Sequence, residues 1–193
     1  MAPRAVLVDL DGTVWNSYPW YATLLAATGN ISESAALKHL QAGESIVSLL
    51  RKCGVSTSTL ERRCAELALF PGVAETLGRL VSRGMPIGAV TSLPGRLVSP
   101  MLTGVALHGT FTTVIHAGNC RFRKPHPGPV LAALRDLGIV PSAEVLYVGD
   151  LEGDAQAAAT AGVVFAWAAY GYGGARPASS AHVLRRFSDI LAL

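Results

Sequence analysis

The chain has 193 residues, which is enough for one sizeable domain or for a domain that carries an insertion. Half of the residues are hydrophobic and only 15% are charged, a composition that excludes an intrinsically disordered protein. The net charge is +3 with scattered basic residues, so we expect no nucleic-acid partner, and no stretch is long enough to predict a membrane span.

The cysteine usage predicts a reducing, cytoplasmic location. Cys53, Cys64 and Cys120 are an odd number of cysteines without Cys-x-x-Cys spacing, which favours free thiols. The first apolar run is too short for a signal peptide and is interrupted by acidic residues. None of the five histidines has metal-ligand spacing to another, and His126 is interpreted as an ordinary loop residue.

The first predicted element is a buried strand that ends in acidic residues. The unalternating apolar run at residues 5–8 is typical of a strand in a parallel sheet, and it leads into Asp9-Leu10-Asp11-Gly12-Thr13. Asp9 and Asp11 are two residues apart, so both side chains point to the same side of an extended backbone. Gly12 permits a sharp turn close to a ligand. Since two carboxylates at a buried strand end are costly alone, the segment predicts a site where a cation or proton relieves them.

Residues 16–70 predict a small all-helical insert after the first strand, because they contain no strand-like run. A cluster of aromatic residues lies across the start of this region: Trp15, Tyr18, Trp20 and Tyr21. Three helical patterns follow, at residues 32–40, 44–53 and 56–69. Pro71 favours the start of the next helix, so we predict a core domain of residues 1–15 and 71–193 and a helical insert of residues 16–70.

After Pro71 the chain alternates between helices and strands. Helices are predicted at residues 73–83, 95–107, 127–137, 154–161 and 181–191. Strands are predicted at residues 86–91, 112–116, 144–150 and 163–168. Together with the first strand, this alternation predicts a doubly wound, Rossmann-like α/β fold: a parallel five-stranded sheet with helices on both faces.

Polar residues recur at the ends of these strands. Thr91-Ser92 ends the second strand, Asp150 ends the fourth, and Asp154 follows one helical turn later; Lys124 precedes another helix. Each alone also suits an ordinary structural role, such as Asp154 at a helix N-terminus. If all strands are parallel, these residues meet the first-strand acids at one edge of the sheet, which predicts a single site.

The polar segments resemble the four motifs of the haloacid dehalogenase-like hydrolase superfamily. They are Asp9-Leu10-Asp11-Gly12-Thr13, Thr91-Ser92, Lys124-Pro125 and Gly149-Asp150 with Asp154. The helical insert is similar to the cap of phosphoglycolate phosphatase-like members, as are the segments Phe70-Pro71-Gly72-Val73 and Tyr170-Gly171-Tyr172-Gly173. Ser92 stands where those phosphatases often have Asn, and the insert is shorter than is common there. Both departures bear on the substrate more than on the chemistry.

The resemblance implies a Mg²⁺-dependent phosphatase that acts on a small phosphorylated metabolite through an aspartyl-phosphate. Asp9 would be the nucleophile, and Asp11 would protonate the leaving group and then activate water. Mg²⁺ would be held by Asp9, the main-chain carbonyl of Asp11 and Asp150, while Asp154 would orient water or Lys124. The phosphate would be held by four residues: Gly12, Thr91, Ser92 and Lys124.

Three functional classes stay open at this point: the phosphatase, another enzyme on the same scaffold and a non-catalytic interaction protein. A phosphomutase uses the same groups, whereas a dehalogenase is disfavoured because those relatives lack an acid at the position of Asp11. A non-catalytic interaction protein is disfavoured by the complete polar set. The candidates for substrate specificity are three aromatic residues after the first strand: Trp15, Tyr18 and Trp20. We expect at least one of them to face the site. We expect a monomer or a homodimer.

Overall fold

A six-stranded, fully parallel sheet forms the centre of the computed structural model, which describes residues 3–193. The strands are β1 (Ala5–Val8), β2 (Ile87–Pro94), β3 (Thr113–Ala117), β4 (Val145–Gly149), β5 (Val164–Ala168) and β6 (His182–Leu184). Their order is β3-β2-β1-β4-β5-β6, so the direction of winding reverses at β1. The carboxyl ends of β1, β2 and β4 therefore lie side by side at the switch point, where open α/β sheets bind ligands. Residues 1 and 2 of the predicted core segment lie outside the described residues.

Helices fill the connections between the strands. Between β1 and β2 lie α1 (Ser17–Ala26), α2 (Glu33–Gln41), α3 (Ile46–Lys52), α4 (Thr57–Arg62), a 3₁₀ turn (Cys64–Glu66) and α5 (Val73–Ser82). Further along the chain are α6 (Gly95–Gly104), α7 (Gly128–Leu137), α8 (Glu152–Ala161) and a terminal 3₁₀ helix (Phe187–Ala192). Within residues 3–193, no helix is both long enough and apolar enough to cross a membrane.

Serine side chains start three helices of the insert. The hydroxyls of Ser32, Ser45 and Ser56 accept hydrogen bonds from main-chain N–H groups in the first turns of α2, α3 and α4. A helix leaves its first N–H groups without an intrahelical partner, and a serine at this position satisfies one of them. α2 and α3 correspond to two of the helical patterns predicted from the sequence. The third predicted pattern, residues 56–69, is divided into α4 and the 3₁₀ turn at Cys64–Glu66.

The insert packs on the same apolar layer as one face of the sheet. Val6 and Val8 of β1 belong to one buried cluster together with Leu25 and Leu60 of the insert. The backbones also approach closely, because a Cβ added at Gly104 of α6 would lie 2.6 Å from the Cys64 carbonyl oxygen. The insert therefore has no separate core, and its position depends on packing against the core domain.

Two further predicted elements differ from the structure. The predicted helix at residues 181–191 is wrong in its first part, because His182–Leu184 is a sixth strand that pairs with β5. A strand of three residues is too short to show a period in the sequence, and the unpaired edge of β5 decides its conformation. The second difference is that β2 continues past Thr91 to Pro94, with an irregular register against β3.

Candidate active site

Asp9 lies at the junction between β1 and β4. Its main-chain N–H donates to the Val148 carbonyl at 2.8 Å, so the parallel pairing with β4 continues one residue beyond β1. The side chain is only 5% exposed. Burial raises the pKa of Asp9 to about 7, although the nearby Lys124 ammonium works in the opposite direction.

Lys124 joins three elements at the carboxyl edge of the sheet. Its ammonium group forms ion pairs with Asp9 Oδ1 at 2.7 Å and with Asp154 Oδ1 at 2.6 Å. It also donates to the Val90 carbonyl of β2 at 3.2 Å. Burial opposes the charge of Lys124, but the carboxylates of Asp154 and Asp9 raise its pKa well above the usual range. The Lys124 side chain is therefore positively charged at neutral pH and is held in place between Asp9 and Asp154.

Asp154 has protein partners at both of its oxygens. Oδ1 accepts from the Tyr147 hydroxyl at 2.9 Å in addition to the Lys124 contact, and Oδ2 accepts from the Leu151 N–H at 3.1 Å. The side chain leans over the end of β4, where a Cβ on Gly149 would come within 2.5 Å of the Asp154 Cβ. Asp154 thus orients Lys124 and caps the first turn of α8.

Asp150 is buried beside Asp154 and has one oxygen without a partner. Oδ2 accepts from the Tyr172 N–H at 2.9 Å, whereas Oδ1 has no hydrogen-bond partner within residues 3–193. Gly12 has φ +79° and lies against this carboxylate, so that any Cβ there would overlap Asp150 Oδ2. Burial, followed by repulsion from Asp154 and Asp9, raises the pKa of Asp150 well above its usual range.

The arrangement of these acids fits a divalent cation. One carboxylate oxygen from each of Asp9, Asp150 and Asp154 lies within 4.8 Å of the other two. A single ammonium faces three buried acids, and the unpartnered Oδ1 of Asp150 leaves acceptor capacity unused in a buried position. Hard cations such as Mg²⁺ prefer ligand sets made of oxygen atoms. The residues present therefore fit such an ion.

Asp11 is held by two aromatic donors. The Trp15 indole N–H and the Tyr21 hydroxyl each donate to Asp11 Oδ1 at 2.9 Å. Burial raises the pKa of the Asp11 carboxyl group, while the hydrogen bonds from Trp15 and Tyr21 partly offset this effect. Two donors on one oxygen fix the orientation of the group and leave Oδ2 outside these bonds.

A cavity of about 530 Å³ opens between the strand ends and the helical insert. Its core-domain wall includes five of the predicted site residues: Asp9, Asp11, Thr91, Ser92 and Lys124. Asp154 also lines it, and the opposite wall comes from the α2–α3 connection and α3, where Ser45, Ser48 and Arg51 face the space. This volume suits a small ligand with groups beyond a single phosphate.

Thr91 and Ser92 lie in the irregular part of β2. The Thr91 side chain is buried, and its hydroxyl accepts from the Leu93 N–H at 3.2 Å. Ser92 is exposed and lines the cavity next to Thr91. Two consecutive residues in this irregular part of β2 therefore line the same cavity.

The predicted specificity residues occupy different environments. Tyr18 lines the cavity and stacks on Tyr172, with ring centroids 3.7 Å apart. Trp15 is fully buried and reaches Asp11, while Trp20 is 8% exposed and packs against Tyr21. Neither Trp15 nor Trp20 is among the residues that line the cavity. Their contacts are those of packing and positioning groups.

Several residues in and around the site were not among the site residues predicted from the sequence. They are Tyr21, Arg51, Tyr147, Trp167 and Tyr172. The repeated Tyr-Gly pairs at residues 170–173 were a local signal for Tyr172. For Tyr147, which sits inside an apolar strand, no sequence pattern distinguishes a site residue from a core residue.

Comparison with known proteins identifies the family. A model of the haloacid dehalogenase-like hydrolase family matches residues 6–168. A phosphoglycolate phosphatase from Yersinia pestis is 31% identical over 225 aligned positions, which cover 98% of this chain and 92% of that protein. A phosphoglycolate phosphatase from Escherichia coli (strain K12) is 41% identical over 104 residues, or 54% of this chain. That match spans only 41% of the length of the E. coli protein.

Solved structures show the same relationship. A protein from Haemophilus somnus 129pt, described as a predicted phosphoglycolate phosphatase, has a TM-score of 0.80 at 25% identity. The alignment covers 98% of this chain and 96% of that one. The resemblance seen in the sequence motifs is confirmed by these matches, and the chain belongs to the haloacid dehalogenase-like hydrolase family, where its relatives are phosphoglycolate phosphatase-like.

Proposed function

We propose that this protein is a Mg²⁺-dependent phosphatase that hydrolyses a phosphate monoester of a small metabolite through an aspartyl-phosphate on Asp9. One observation carries the proposal: the buried Lys124 ammonium bridges Asp9 and Asp154 beside the unpartnered oxygen of Asp150. A carboxylate nucleophile repels an anionic phosphate, so positive charge must be fixed beside it. Lys124 supplies one such charge, and a cation between the acids would supply the rest.

The first chemical step would form the phosphoenzyme. A carboxylate oxygen of Asp9 attacks phosphorus, the bond from phosphorus to the leaving oxygen breaks, and Asp11 gives its proton to that oxygen. Bound Mg²⁺ would neutralise charge on the phosphate and on its ligands, which would be Asp9, the Asp11 main-chain carbonyl and Asp150. The raised pKa of Asp11 supports its role as a proton donor.

The second step would release phosphate. Asp11, now ionised, takes a proton from a water molecule whose oxygen attacks phosphorus, and the bond to Asp9 breaks. Inorganic phosphate leaves and both carboxyl groups return to their starting states. The hydrogen bonds from Trp15 and Tyr21 to Asp11 Oδ1 support this role, because they hold the group in one orientation through both steps. Gly12, Thr91, Ser92 and Lys124 would hold the phosphate oxygens.

Phosphate release from an aryl phosphate tests the function. We expect release with Mg²⁺ and its loss in excess EDTA, with recovery when Mg²⁺ is restored. A dehalogenase would need no metal, and an interaction protein would release no phosphate. A panel of phosphate monoesters, with 2-phosphoglycolate among them because of the relatives' names, would then identify the substrate. Absence of phosphate release from every member of the panel would contradict the proposal.

Asp150→Ala is expected to weaken Mg²⁺ binding far more than Asp154→Ala. Asp150 has an unpartnered oxygen, whereas both oxygens of Asp154 already have protein partners. In the wild type, Mg²⁺ at 100 times its Kd should stabilise the fold by about 2.7 kcal/mol, which raises Tm by about 5–10 °C in a protein of this size. Asp150→Ala should remove this rise.

Asp154→Ala serves as the matched control for that variant, since it removes a neighbouring buried carboxylate. Its Mg²⁺-dependent rise in Tm should persist. The Mg²⁺ concentration for half-maximal activity should also increase in Asp154→Ala, but by a factor at least about ten times smaller than in Asp150→Ala. Equal effects of the two substitutions would mean that both side chains bind the ion directly, or that neither does.

We propose that the cavity wall formed by α3 binds the part of the substrate beyond the phosphate. Arg51 lines this wall, and its guanidinium group suits a second anionic group such as the carboxylate of phosphoglycolate. Tyr18 lines the same cavity and stays the aromatic candidate for specificity. Arg51→Ala should lower kcat/KM for an ester with such a second anionic group by about tenfold, or about 1.4 kcal/mol, and should affect an aryl phosphate much less.

Lys52→Ala is the control for Arg51→Ala. Lys52 is the next residue of α3 and carries the same charge, but it pairs with Glu44 at 2.7 Å and does not line the cavity. If Arg51→Ala scales both activities by the same factor, or if Lys52→Ala has the same selectivity as Arg51→Ala, the second anionic group is recognised elsewhere.

A further inference from the structure

Tyr172 contacts both the acid cluster and the start of the helical insert. Its main-chain N–H donates to Asp150 Oδ2 at 2.9 Å. Its hydroxyl donates to Asn16 Oδ1 at 2.7 Å and accepts from the Tyr18 N–H at 2.9 Å. Its ring stacks on that of Tyr18 with 12° between the ring planes. A single residue in the loop after β5 is therefore bonded both to an acid of the site and to the first turn of α1.

The Tyr172 hydroxyl takes the place of an ordinary helix cap. Asn16 stands immediately before α1, but its side chain accepts no hydrogen bond from the helix. Instead, the first-turn N–H of Tyr18 is satisfied by Tyr172, which is 154 residues away in the sequence. The first N–H groups of a helix need acceptors from outside the helix, so the start of α1 depends on the loop after β5.

The same loop fixes both connections of the insert. The outgoing segment leads from β1 into the insert, and the returning segment leads from the insert back to α5. They pair with each other through hydrogen bonds from Asn16 N–H to Ala68 O at 2.8 Å and from Phe70 N–H to Val14 O at 3.1 Å. The Tyr170 hydroxyl donates to the outgoing segment at Thr13 O, at 2.8 Å, and its ring meets that of Phe70 edge-on at 5.0 Å. A shift of the loop would therefore move both connections.

Close backbone packing ties the loop to Asp150. A Cβ at Gly171 would overlap the Gly12 carbonyl oxygen, and a Cβ at Gly173 would overlap the Asp150 carbonyl oxygen. The Trp167 indole N–H donates to the same Asp150 carbonyl at 3.0 Å. With this little free space, a change in the position of Asp150 is transmitted to the loop and cannot be absorbed locally.

We propose that Tyr172 is a positioning residue that couples the Asp150 carboxylate to the start of α1, so that a divalent cation bound at Asp150 and the docked position of the helical insert stabilise each other. The inference rests on the proposed function only in taking Asp150 as a ligand of the cation. The coupling is reciprocal, because any effect of the cation on the insert equals the effect of the insert on cation affinity. The stability of the two connections of the insert therefore depends on whether the cation site is occupied.

Hydrogen exchange of the first-turn amides of α1 tests this coupling without measuring activity. Exchange in peptides that cover residues 13–20 would be compared with and without Mg²⁺. In the wild type, Mg²⁺ should slow exchange by at least about fivefold, the lower end of typical couplings. In Tyr172→Phe the ratio of the two rates should fall close to one, because the hydroxyl that joins the loop to α1 is missing.

Tyr170→Phe is the matched control. It removes one hydroxyl hydrogen bond to the outgoing connection, as Tyr172→Phe does, but Tyr170 does not bond to Asp150. Its Mg²⁺-dependent slowing should persist even if its basal exchange is faster. Asn16→Ala, which removes the acceptor of the Tyr172 hydroxyl and leaves the tyrosine in place, should reduce the Mg²⁺ effect and serves if Tyr172→Phe does not fold.

Thermal unfolding in the same samples separates the two possible failures. If Mg²⁺ does not raise the Tm of the wild type, the proposed cation site is overturned and the coupling with it. If Mg²⁺ raises Tm but does not slow exchange at residues 13–20, the coupling alone is overturned. Persistence of the full Mg²⁺ effect in both Tyr172→Phe and Asn16→Ala would likewise remove Tyr172 from this role.

Discussion

Asp9→Asn should reduce kcat by at least about 10³-fold, which corresponds to about 4 kcal/mol of lost transition-state stabilisation. Asparagine is nearly the same shape as aspartate, but its amide cannot form an acyl phosphate. The fold should survive, because Lys124 keeps its ion pair with Asp154 at 2.6 Å. Burial also raises the pKa of Asp9 to about 7, so the folded protein accommodates an uncharged side chain at this position.

Steady-state phosphate release and thermal unfolding would be measured on the same preparation. Asp136→Asn is the matched control, since it makes the same chemical change on the exposed side of α7, where Asp136 pairs with Arg135. The control should retain wild-type activity, and Asp9→Asn should retain a wild-type Tm within a few degrees. More than a few per cent of wild-type turnover in a folded Asp9→Asn protein would remove Asp9 from the role of nucleophile.

The acids of the site were predictable because each lies next to a recognisable strand. Asp9 follows an apolar run, and Asp150 follows another, so both were expected at the carboxyl edge of a parallel sheet. The structure puts Lys124 2.7 Å from Asp9, as the motif order suggested, yet 115 residues separate them in the chain. Strand order decides such distances, and a strand pattern alone contains no information about which strands are neighbours.

The aromatic residues show where sequence interpretation stops. Trp15, Tyr18 and Trp20 were grouped because they follow the first strand, but only Tyr18 lines the cavity. Trp15 and Tyr21 donate to Asp11 instead. The first turn of α1 is also bonded to the distant Tyr172 hydroxyl, a contact that no local sequence pattern indicates. Whether a ring packs in the core or faces a ligand depends on the rotation of its helix, which distant contacts determine.

Short elements were misjudged for a related physical reason. The strand at His182–Leu184 was taken as part of a helix, and β2 was ended at Thr91 although it continues to Pro94. In both cases the conformation follows from the pairing partner: β5 for the first, β3 for the second. Pairing with a distant strand overrides the local preference of a few residues. Long elements such as α5 and α7 carry enough periodicity to be recognised without such help.

Asp11→Asn should trap the phosphoenzyme when the substrate has a good leaving group. The asparagine Oδ1 can still accept from Trp15 and Tyr21, so the side chain keeps its position but cannot donate or accept the transferred proton. An aryl phosphate needs little protonation of its leaving oxygen, so attack by Asp9 should continue while activation of water fails. General acid–base groups contribute about 10²–10⁴-fold, and turnover should fall by a factor in this range.

Rapid acid quench followed by mass spectrometry should show a phosphoryl adduct on a peptide that contains Asp9. The double variant with Asp9→Asn should show none, which assigns the adduct to that carboxylate. On an alkyl phosphate, whose leaving oxygen needs protonation, Asp11→Asn should lower turnover without accumulating adduct, because the first step is then also slow.

The lifetime of the adduct also discriminates between a phosphatase and a phosphomutase. In the wild-type phosphatase, water drives the second step, so the adduct should decay with the release of inorganic phosphate and without any added acceptor. A phosphomutase would keep the adduct until a sugar phosphate accepts the phosphoryl group, and the wild type itself would then accumulate it. If Asp11→Asn turns over an aryl phosphate at nearly the wild-type rate, Asp11 does not activate water, and its bonds to Trp15 and Tyr21 serve the structure alone.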